Sequence, residues 1–392
     1  MNARERFLAV MDLEPVRTLK WEFGYWVGAV RRWYEEGLPK TYPPPKEMGE
    51  GEEWRGSAVG WRDEAERDYD IQEYLHLDDG LRRIKLNNYL YPPFEVEILE
   101  DHGGWVLERN EQGIIQKRMK DRSSLPTYVR GPVETRDDWE RLKAERLQPT
   151  LEGRLPDEWP RIVEEYNHRS YPLSIMGSQG FYGTPRFLLG QEQLLYTYYD
   201  DPELLDEINS YLCDFWMAIC EPILREVEPD VVQMWEDMSY RSGSLISPEH
   251  FRRFMLPYYK RLTAFFRDYG VKNVLVDTDG DCWELIPLFT EAGVTGMYPM
   301  EVQSGMNVVE VRRTFPRLQI LGGIDKRVLA WGKEAIDGEL EAKVPWMLAR
   351  GGYVPYIDHF VPPEASLENF SYYRRRLNEM IEACGEAGGR CR

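Results

Sequence analysis

The stretch VKNVLVDTDGDCWELIPLFTEAGVTGMY, residues 271–298, carries the pattern that decides the fold. It contains an apolar strand (Asn273–Val276) with an acidic tip, an amphipathic helix, and a second apolar strand (Val294–Tyr298). Two further strands of this kind follow, Leu318–Gly322 and Tyr353–Ile357. They start about 20 to 35 residues apart, the length of a β-strand plus a crossover helix. Such units in series predict a parallel barrel with its chemistry at the carboxyl ends of the strands.

Upstream residues supply four more strands, which gives the eight that a (β/α)8 barrel needs. The predicted fold class is therefore α/β, a TIM barrel. The additional strands are predicted at residues 18–23, about 126–130, 171–176 and 231–235.

Three segments do not fit the strand–helix rhythm. Asn2–Met11 is predicted to be a short helical extension at the N terminus. A Pro-rich stretch at about 38–60 is too long for a plain connection and predicts a loop or lid insertion. Alternating apolar residues with glycine turns at about 94–119 predict an inserted antiparallel β meander. We expect residues 1–392 to form a single elaborated barrel domain.

Composition argues against several classes of function. The chain has 392 residues, 42% of them hydrophobic, and a formal net charge of −19. Nucleic-acid binding needs an excess of Lys and Arg, and an anionic membrane surface repels an acidic protein, so neither partner is expected. The five cysteines form no CxxC pair, and no run approaches 18 apolar residues. A protein with reduced thiols in the cytoplasm is predicted.

Three carboxylates crowd the strand tip Asp277-Thr278-Asp279-Gly280-Asp281. Two like charges ~5 Å apart repel by roughly 1 kcal/mol in water and by ~3 kcal/mol at an effective dielectric constant of 20. A metal, a cationic substrate or raised pKa values would offset this repulsion. Asp277 and Asp279 are predicted to be catalytic, whereas Asp281 has the position of a helix cap.

A histidine lies at the tip of the last predicted strand. His359 is the only one of the five histidines at the end of a late strand, and Asp358 precedes it. Neighbours in an extended strand point in opposite directions, so one is expected to face the pocket and the other the wall. His359 is predicted to be catalytic and Asp358 to contact the substrate.

Further polar and aromatic residues at the strand tips are predicted to bind the substrate. Carboxylates among aromatic rings are typical of a site for an organic cation, although such rings also cover the ends of barrels. The predicted substrate-binding residues are Glu22, Trp26, Glu236, Tyr298, Glu301, Lys326 and Asp358.

Several segments, taken together, resemble the uroporphyrinogen decarboxylase superfamily. The resemblance is strongest from about residue 130 to 380 and implies a (β/α)8 barrel. The superfamily includes porphyrinogen decarboxylases and zinc methyltransferases that serve corrinoid proteins. The segments are Arg130-Gly131-Pro132-Val133 with Trp139, Gly183–Leu189, Asp201-Pro202-Glu203-Leu204, Asp277–Asp281, Gly322-Gly323-Ile324-Asp325, Gly351-Gly352-Tyr353, Asp358-His359 and Pro362-Pro363.

The decarboxylase branch fits the sequence poorly. It carries an Arg-rich motif after its first strand that grips the carboxylates of the substrate, and only Arg31 and Arg32 occur there. An acidic mouth would also repel an octacarboxylate.

The methyltransferase branch is closer in layout but differs in its ligands. Its His-x-Cys-Gly zinc motif corresponds here to Asp277-Thr278-Asp279-Gly280. Asp277 and Asp279, with Glu301 or His359, could still hold a divalent metal such as zinc through oxygen and nitrogen, or could bind the substrate without a metal.

The leading hypothesis is a methyltransferase of the corrinoid-linked type. It would move a methyl group from a small methoxy, N-methyl or S-methyl donor to a corrinoid carried by a partner protein, with Asp277, Asp279 and His359 polarising or protonating the leaving group. The alternatives are a decarboxylase of a porphyrinogen-like substrate and a non-catalytic barrel that binds a ligand.

Overall fold

The computed structural model describes residues 1–386, apart from the side chains of Glu64 and Glu386. Short strands alternate with helices along most of this range. In chain order the strands are β1 (Gly24–Trp26), β2 (Glu53–Arg55), β3 (Arg82–Arg83), β4 (Glu97–Asp101), β5 (Trp105–Arg109), β6 (Ile115–Met119), β7 (Thr127–Arg130), β8 (Leu173–Met176), β9 (Val231–Trp235), β10 (Ser239–Tyr240), β11 (Gly243–Ser244), β12 (Asn273–Asp277), β13 (Gly296–Tyr298), β14 (Gln319–Leu321) and β15 (Tyr353–Val354).

The helices surround these strands. They are α1 (Ala3–Met11), α2 (Val27–Glu35), α3 (Tyr69–Leu75), α4 (Arg136–Arg146), α5 (Trp159–Asn167), α6 (Gly183–Leu189), α7 (Gln191–Asp200), α8 (Pro202–Leu224), α9 (Pro248–Phe254), α10 (Leu256–Asp268), α11 (Ile286–Glu291), α12 (Val308–Thr314), α13 (Val328–Trp331), α14 (Lys333–Leu348) and α15 (Leu367–Glu386).

Seven parallel strands form the wall of the barrel, in the order β15-β14-β13-β12-β9-β8-β3. The segment around β1 fills the remaining gap, because Tyr25 forms a parallel bridge with Val361. The Val361 N–H also donates to the Gly24 carbonyl at 2.9 Å. On the other side of the gap, Trp61 forms a parallel bridge with Arg82. The molecule is therefore a (β/α)8 barrel, and the predicted fold class is confirmed.

The structure corrects the second predicted strand. Of the predicted residues 126–130, Thr127–Arg130 form β7, which pairs antiparallel with β6. β3 takes the second place in the barrel instead and pairs parallel with β8. β3 is two residues long and both are arginine, so no apolar run marks it in the sequence. The inserted meander accordingly has four strands, β4-β5-β6-β7, and extends beyond residue 119.

The first predicted strand, residues 18–23, is extended but forms no regular ladder. Side chains hold it to the last strand instead, as where the Thr18 hydroxyl donates to the Tyr353 carbonyl at 2.7 Å. The interior of the barrel beside it is filled by apolar and aromatic side chains, among them Leu19, Trp21, Phe23, Val231, Leu275, Tyr298, Leu321, Val354 and Tyr356.

The long helix α8 shows how the outer layer forms. Asp201 caps it by accepting from the Leu204 N–H at 3.2 Å, and Pro202 occupies its first turn, where no backbone donor is needed. Leu205, Ile208 and other apolar residues at helical spacing are buried on one face, which is the amphipathic pattern of a helix packed against a barrel.

The thiols and the hydropathy of the chain bear on two further predictions. Cys213, Cys220 and Cys282 are free and buried, but Cys384 is disulfide-bonded. The prediction of reduced cysteines is therefore wrong for Cys384, because no CxxC spacing marks it as one of a pair; Cys391 lies outside the described residues. Among residues 1–386, no helix combines the length and apolarity needed to cross a membrane.

A buried ion pair joins the first barrel segment to the C-terminal helix α15. Glu22 Oε2 accepts from Arg374 Nη1 at 3.2 Å, and neither side chain is exposed to solvent. Glu22 Oε1 accepts from the Ile357 N–H at 3.0 Å, and the Glu22 N–H donates to the Ser57 hydroxyl at 2.8 Å. One carboxylate thus connects the first barrel segment to the last strand and to α15.

Removing the charge of Glu22 should destabilise the barrel strongly. Glu22→Gln leaves the Arg374 guanidinium buried without an anion, and breaking a buried pair in this way costs about 3–5 kcal/mol. The free energy of unfolding, measured by urea denaturation, should fall by that amount.

The matched control is Glu368→Gln, which removes the partner of Lys333 in an exposed pair with N···O at 2.6 Å. Its unfolding curve should superimpose on that of the wild type. Equal midpoints for Glu22→Gln and the wild type would show that the buried pair does not hold the barrel closed.

Candidate functional site

A cavity of about 440 Å³ opens at the carboxyl ends of the barrel strands. Trp235 at the end of β9 and Asp277 at the end of β12 line it, and Tyr128 of the meander covers one side. Parallel strands bring their carboxyl ends together at one rim, so residues far apart in sequence face the same space. This cavity is the candidate active site.

Asp279 and His359 meet in this cavity. His359 Nε2 lies 3.2 Å from Asp279 Oδ2, and their side chains are 20% and 34% exposed, so a ligand can reach both. The imidazole packs beside Phe23, with ring centroids 5.3 Å apart. His359 Nδ1 has no hydrogen-bond partner among the described residues, which leaves this nitrogen for a ligand.

The tip that carries Asp279 is held by Glu301. Glu301 Oε2 accepts from the Gly280 N–H at 3.1 Å, and its Oε1 lies 3.4 Å from Lys326 Nζ. Gly280 has φ +79°, and a Cβ there would lie 2.5 Å from the Ser239 backbone. Only glycine fits this turn, so the sequence Asp279-Gly280 directs the carboxylate toward His359.

Each side chain of the pair stabilises the charged form of the other. Burial opposes charge on both side chains, but their mutual attraction and hydrogen bond outweigh it. The pKa of His359 is raised above its ordinary value. The pKa of Asp279, which also feels Lys326 and Arg186, is lowered. Both shifts favour the form of the pair in which an imidazolium lies beside a carboxylate.

Asp277 lies two residues away but has the opposite electrostatics. Burial, followed by the charges of Asp279 and Asp237, raises the pKa of Asp277 well above its usual range. Asp277 therefore keeps its proton to a much higher pH than Asp279. Two carboxyl groups with separated pKa values can act as proton donor and acceptor in one site.

Three predicted substrate-binding acids lie outside the cavity lining and hold the backbone instead. Glu236 is fully buried, and its oxygens accept from the N–H groups of Phe181, Tyr182 and Gly183 at 2.7 to 2.9 Å. Asp358 accepts from the N–H groups of Val302 and Lys326 at 2.8 and 3.0 Å. Glu22 is the partner of Arg374 described above.

The remaining predicted residues surround the cavity without lining it. Trp26 packs on Phe360, with ring centroids 5.5 Å apart. The Tyr298 hydroxyl is buried and accepts from Gln233 Nε2 at 3.0 Å. Glu301 and Lys326 act on the site through the Asp279 tip.

The cavity also contains charged residues that sequence reasoning missed. Arg83 belongs to β3, the strand that was not recognised. Glu53 and Arg55 lie on β2, inside the stretch predicted as a loop or lid. Arg186 of α6 pairs with Asp237 Oδ2 at 2.8 Å. Of these residues, only Asp237 lies just after an apolar strand, β9, and could have been found from that pattern in the sequence.

The described side chains show no assembled metal centre. Within the described part of the chain, no group of three or more His, Cys, Asp or Glu residues could hold a metal ion. Of the four candidates, Asp277, Asp279 and His359 line the cavity, but Glu301 is bound to Gly280 and Ser304. Burial raises the pKa of the nearby Cys282 thiol to about 12, which disfavours the thiolate that zinc binds.

Comparison with family models matches residues 125–380 to uroporphyrinogen decarboxylase (URO-D). No curated protein sequence matches the chain.

Among solved structures, a methyltransferase from Methanosarcina mazei is similar, with a TM-score of 0.57 and 15% identity, covering 98% of this chain and 100% of that chain. At this identity the likeness supports the fold alone. A provisionally assigned vitamin-B12-independent methionine synthase from Listeria monocytogenes has a TM-score of 0.30 and 10% identity, covering 58% of this chain and 69% of that one. That similarity is too low to support an argument.

The His359–Asp279 pair predicts a specific titration. The midpoint of the His359 ring should lie above the ordinary 6.5, and Asp279→Asn should lower it because the attraction to the carboxylate is lost. NMR titration of the ring protons, with His359→Gln to assign them, measures both midpoints. The other four histidines are internal controls, since none is hydrogen-bonded to Asp279.

The same pair predicts how stability depends on pH. The contribution of His359 is fully present below pH 6.5 and disappears as the pH rises through its raised pKa. The contribution of Asp279 is present above pH 3.8 and disappears as the pH falls through its lowered pKa. An unchanged His359 midpoint in Asp279→Asn would show that the two side chains are not coupled.

Proposed function

This chain belongs to the uroporphyrinogen decarboxylase family, and we propose that it is a methyltransferase acting on a small organic methyl donor. The observation that carries the proposal is the His359–Asp279 pair, at 3.2 Å, in a cavity at the carboxyl ends of the barrel strands. A methyltransferase from Methanosarcina mazei has a similar fold, and the layout of the sequence resembles the methyltransferase branch of the family more than the decarboxylase branch.

The pair provides the proton that a poor leaving group needs. Asp279 Oδ2 holds the Nε2 side of the imidazolium, so Nδ1–H is the proton available to the substrate. For a methoxy donor, the bond between methyl carbon and oxygen breaks, and its electron pair stays on the oxygen. That oxygen takes the Nδ1 proton of His359, while the methyl carbon forms a bond to the acceptor nucleophile.

The proposed acceptor is a corrinoid carried by a partner protein, as in the methyltransferase branch that the sequence resembles. This chain's contribution is to bind the donor, orient its methyl group and supply the proton. Asp277, which retains its proton more readily, would hydrogen-bond the substrate or stabilise charge on it.

Neutralising either member of the pair should reduce turnover far more than binding. We expect His359→Gln and Asp279→Asn to lower kcat by ~10²–10⁴-fold, the usual contribution of a positioned general acid, with KM changed little. The assay incubates methoxybenzenes with reduced cobalamin as a free acceptor and measures the phenol formed.

The control is His102→Gln. His102 is an exposed residue on the meander that stacks on Trp105 and does not line the cavity. It should have wild-type kinetics. Wild-type turnover in both site variants would overturn the role of the pair, and ligand binding with no turnover of any donor would favour the non-catalytic barrel.

Decarboxylation is the second candidate, because Arg55 and Arg83 line the cavity and could hold a carboxylate. An octacarboxylate substrate would still leave most of its charges without a cationic partner. We therefore expect no release of CO₂ from uroporphyrinogen III. Turnover of about 1 per second or faster, an ordinary enzymatic rate, would place decarboxylation ahead of methyl transfer.

A further inference from the structure

We propose that Arg83 and Arg55 bind a single carboxylate of the substrate, so that the substrate is a planar monocarboxylic acid with its reactive end at His359. The position of the reactive end rests on the proposed function, whereas the carboxylate site rests on the two arginines alone. Both lie outside residues 21–33, where the decarboxylase branch has its Arg-rich motif.

Arg83 is a buried cation that forms no ion pair among the described residues. Only 5% of the surface of Arg83 is exposed to solvent. Nη1 donates to the Ser178 hydroxyl at 3.0 Å and Nη2 to the Val59 carbonyl at 3.2 Å, while Nε has no partner. Among the described residues it forms no ion pair. A buried charge without a counter-charge is costly, and an anionic ligand would remove that cost.

The fold makes room for this guanidinium. Gly177 has φ +120°, and a Cβ at this position would lie 2.5 Å from Arg83 Nε. Any other residue at Gly177 would displace Arg83 from the cavity wall. The strand tip after β8 is therefore shaped around Arg83.

A second guanidinium increases the need for an anion. Arg55 lines the same cavity and forms no ion pair within the described chain. Burial, and then the charge of Arg55, lower the pKa of Arg83 to about 9. Arg186 is different, because Asp237 already neutralises it at 2.8 Å. Two arginines that line one cavity and form no ion pair with the described residues match the forked, bidentate recognition of a carboxylate.

The carboxyl groups nearby do not fill this role. Glu53 and Asp277 line the cavity, but neither forms an ion pair with Arg83 or Arg55. Burial raises the pKa of both carboxyl groups, which makes them poor counter-ions. The remaining acids, Asp279 and Asp237, are paired with His359 and Arg186.

The walls of the cavity select a flat molecule. Phe187 and Trp235 stack on each other with centroids 4.9 Å apart and planes at 14°, and Phe23 and Phe360 lie elsewhere in the lining. A volume of about 440 Å³ suits a substrate of one substituted ring. A methoxylated aromatic acid combines the carboxylate, the flat ring and the methyl donor.

Calorimetric titration with three ligands of nearly equal shape tests the charge of the substrate. The probes are 4-methoxybenzoate, neutral 4-methoxybenzamide and cationic 4-methoxybenzylamine. Wild-type protein should bind the acid at least about tenfold more tightly than the amide, because a hydrogen bond to a charged group is worth more than a neutral one. Tightest binding of the amine, or equal binding of acid and amide, would overturn the proposal.

Variants connect the preference to the arginines. Arg55→Gln should weaken binding of the acid by about tenfold to a hundredfold and leave the amide unchanged. Arg83→Lys keeps the charge but loses the fork, so it should weaken the acid less than Arg55→Gln. The control is Arg252→Gln, which removes one charge from the pair with Glu291 outside the cavity and should change nothing. Unchanged affinity for the acid in both cavity variants would overturn the proposal.

Product analysis separates this inference from the proposed function. With reduced cobalamin present, formation of 4-hydroxybenzoate from 4-methoxybenzoate supports both. Arginine-dependent binding of the acid without demethylation keeps the carboxylate site and rejects the methyltransferase. Demethylation of neutral methoxybenzenes with no preference for the acid keeps the methyltransferase and rejects the carboxylate site.

Discussion

The barrel is closed by a buried carboxylate together with isolated backbone bridges, and not by a continuous ladder of backbone hydrogen bonds. Glu22 receives hydrogen bonds from Ile357 and Arg374, and so binds the first segment to the last strand and to α15. The next residue, Phe23, then packs against the His359 ring at 5.3 Å. The geometry at the proposed catalytic histidine therefore depends on the closure of the fold, because the adjacent residues Glu22 and Phe23 perform these two tasks.

The backbone N–H groups at each strand tip determine which acids have a structural role and which remain available to a ligand. Glu236 and Asp358 accept hydrogen bonds from several backbone N–H groups and hold the loops in place. Asp277 and Asp279 lie at the same tip, yet burial raises the pKa of Asp277 well above its ordinary range, whereas the attraction to His359 lowers the pKa of Asp279. One short loop thus holds two acids whose pKa values are shifted in opposite directions, and such a separation suits acid–base chemistry in a single site.

Much of this arrangement could be predicted from the sequence, and the failures have identifiable causes. Strands β9 and β12 to β15 were found because apolar runs and crossover spacing leave a clear pattern. Because parallel strands run in a common direction, their tips meet at one rim, and the cavity there contains Asp277, Asp279 and His359. β3 was missed because it is two arginines long, and with it Arg83 was lost. Which acid would be taken by backbone donors depends on loop conformations that residue order alone does not determine.

Charge provides the clearest contrast between sequence and structure. A net charge of −19 and acidic tips suggested a mouth that repels anions. Among the described residues Asp279 pairs with His359 and Asp237 with Arg186, while Arg83 and Arg55 form no ion pair. The charge that a ligand meets is the part left after internal pairing, and this remainder can have the opposite sign to the total. In a barrel whose rim collects residues from many strands, the preferred ligand charge is therefore set by the few side chains that the fold leaves unpaired.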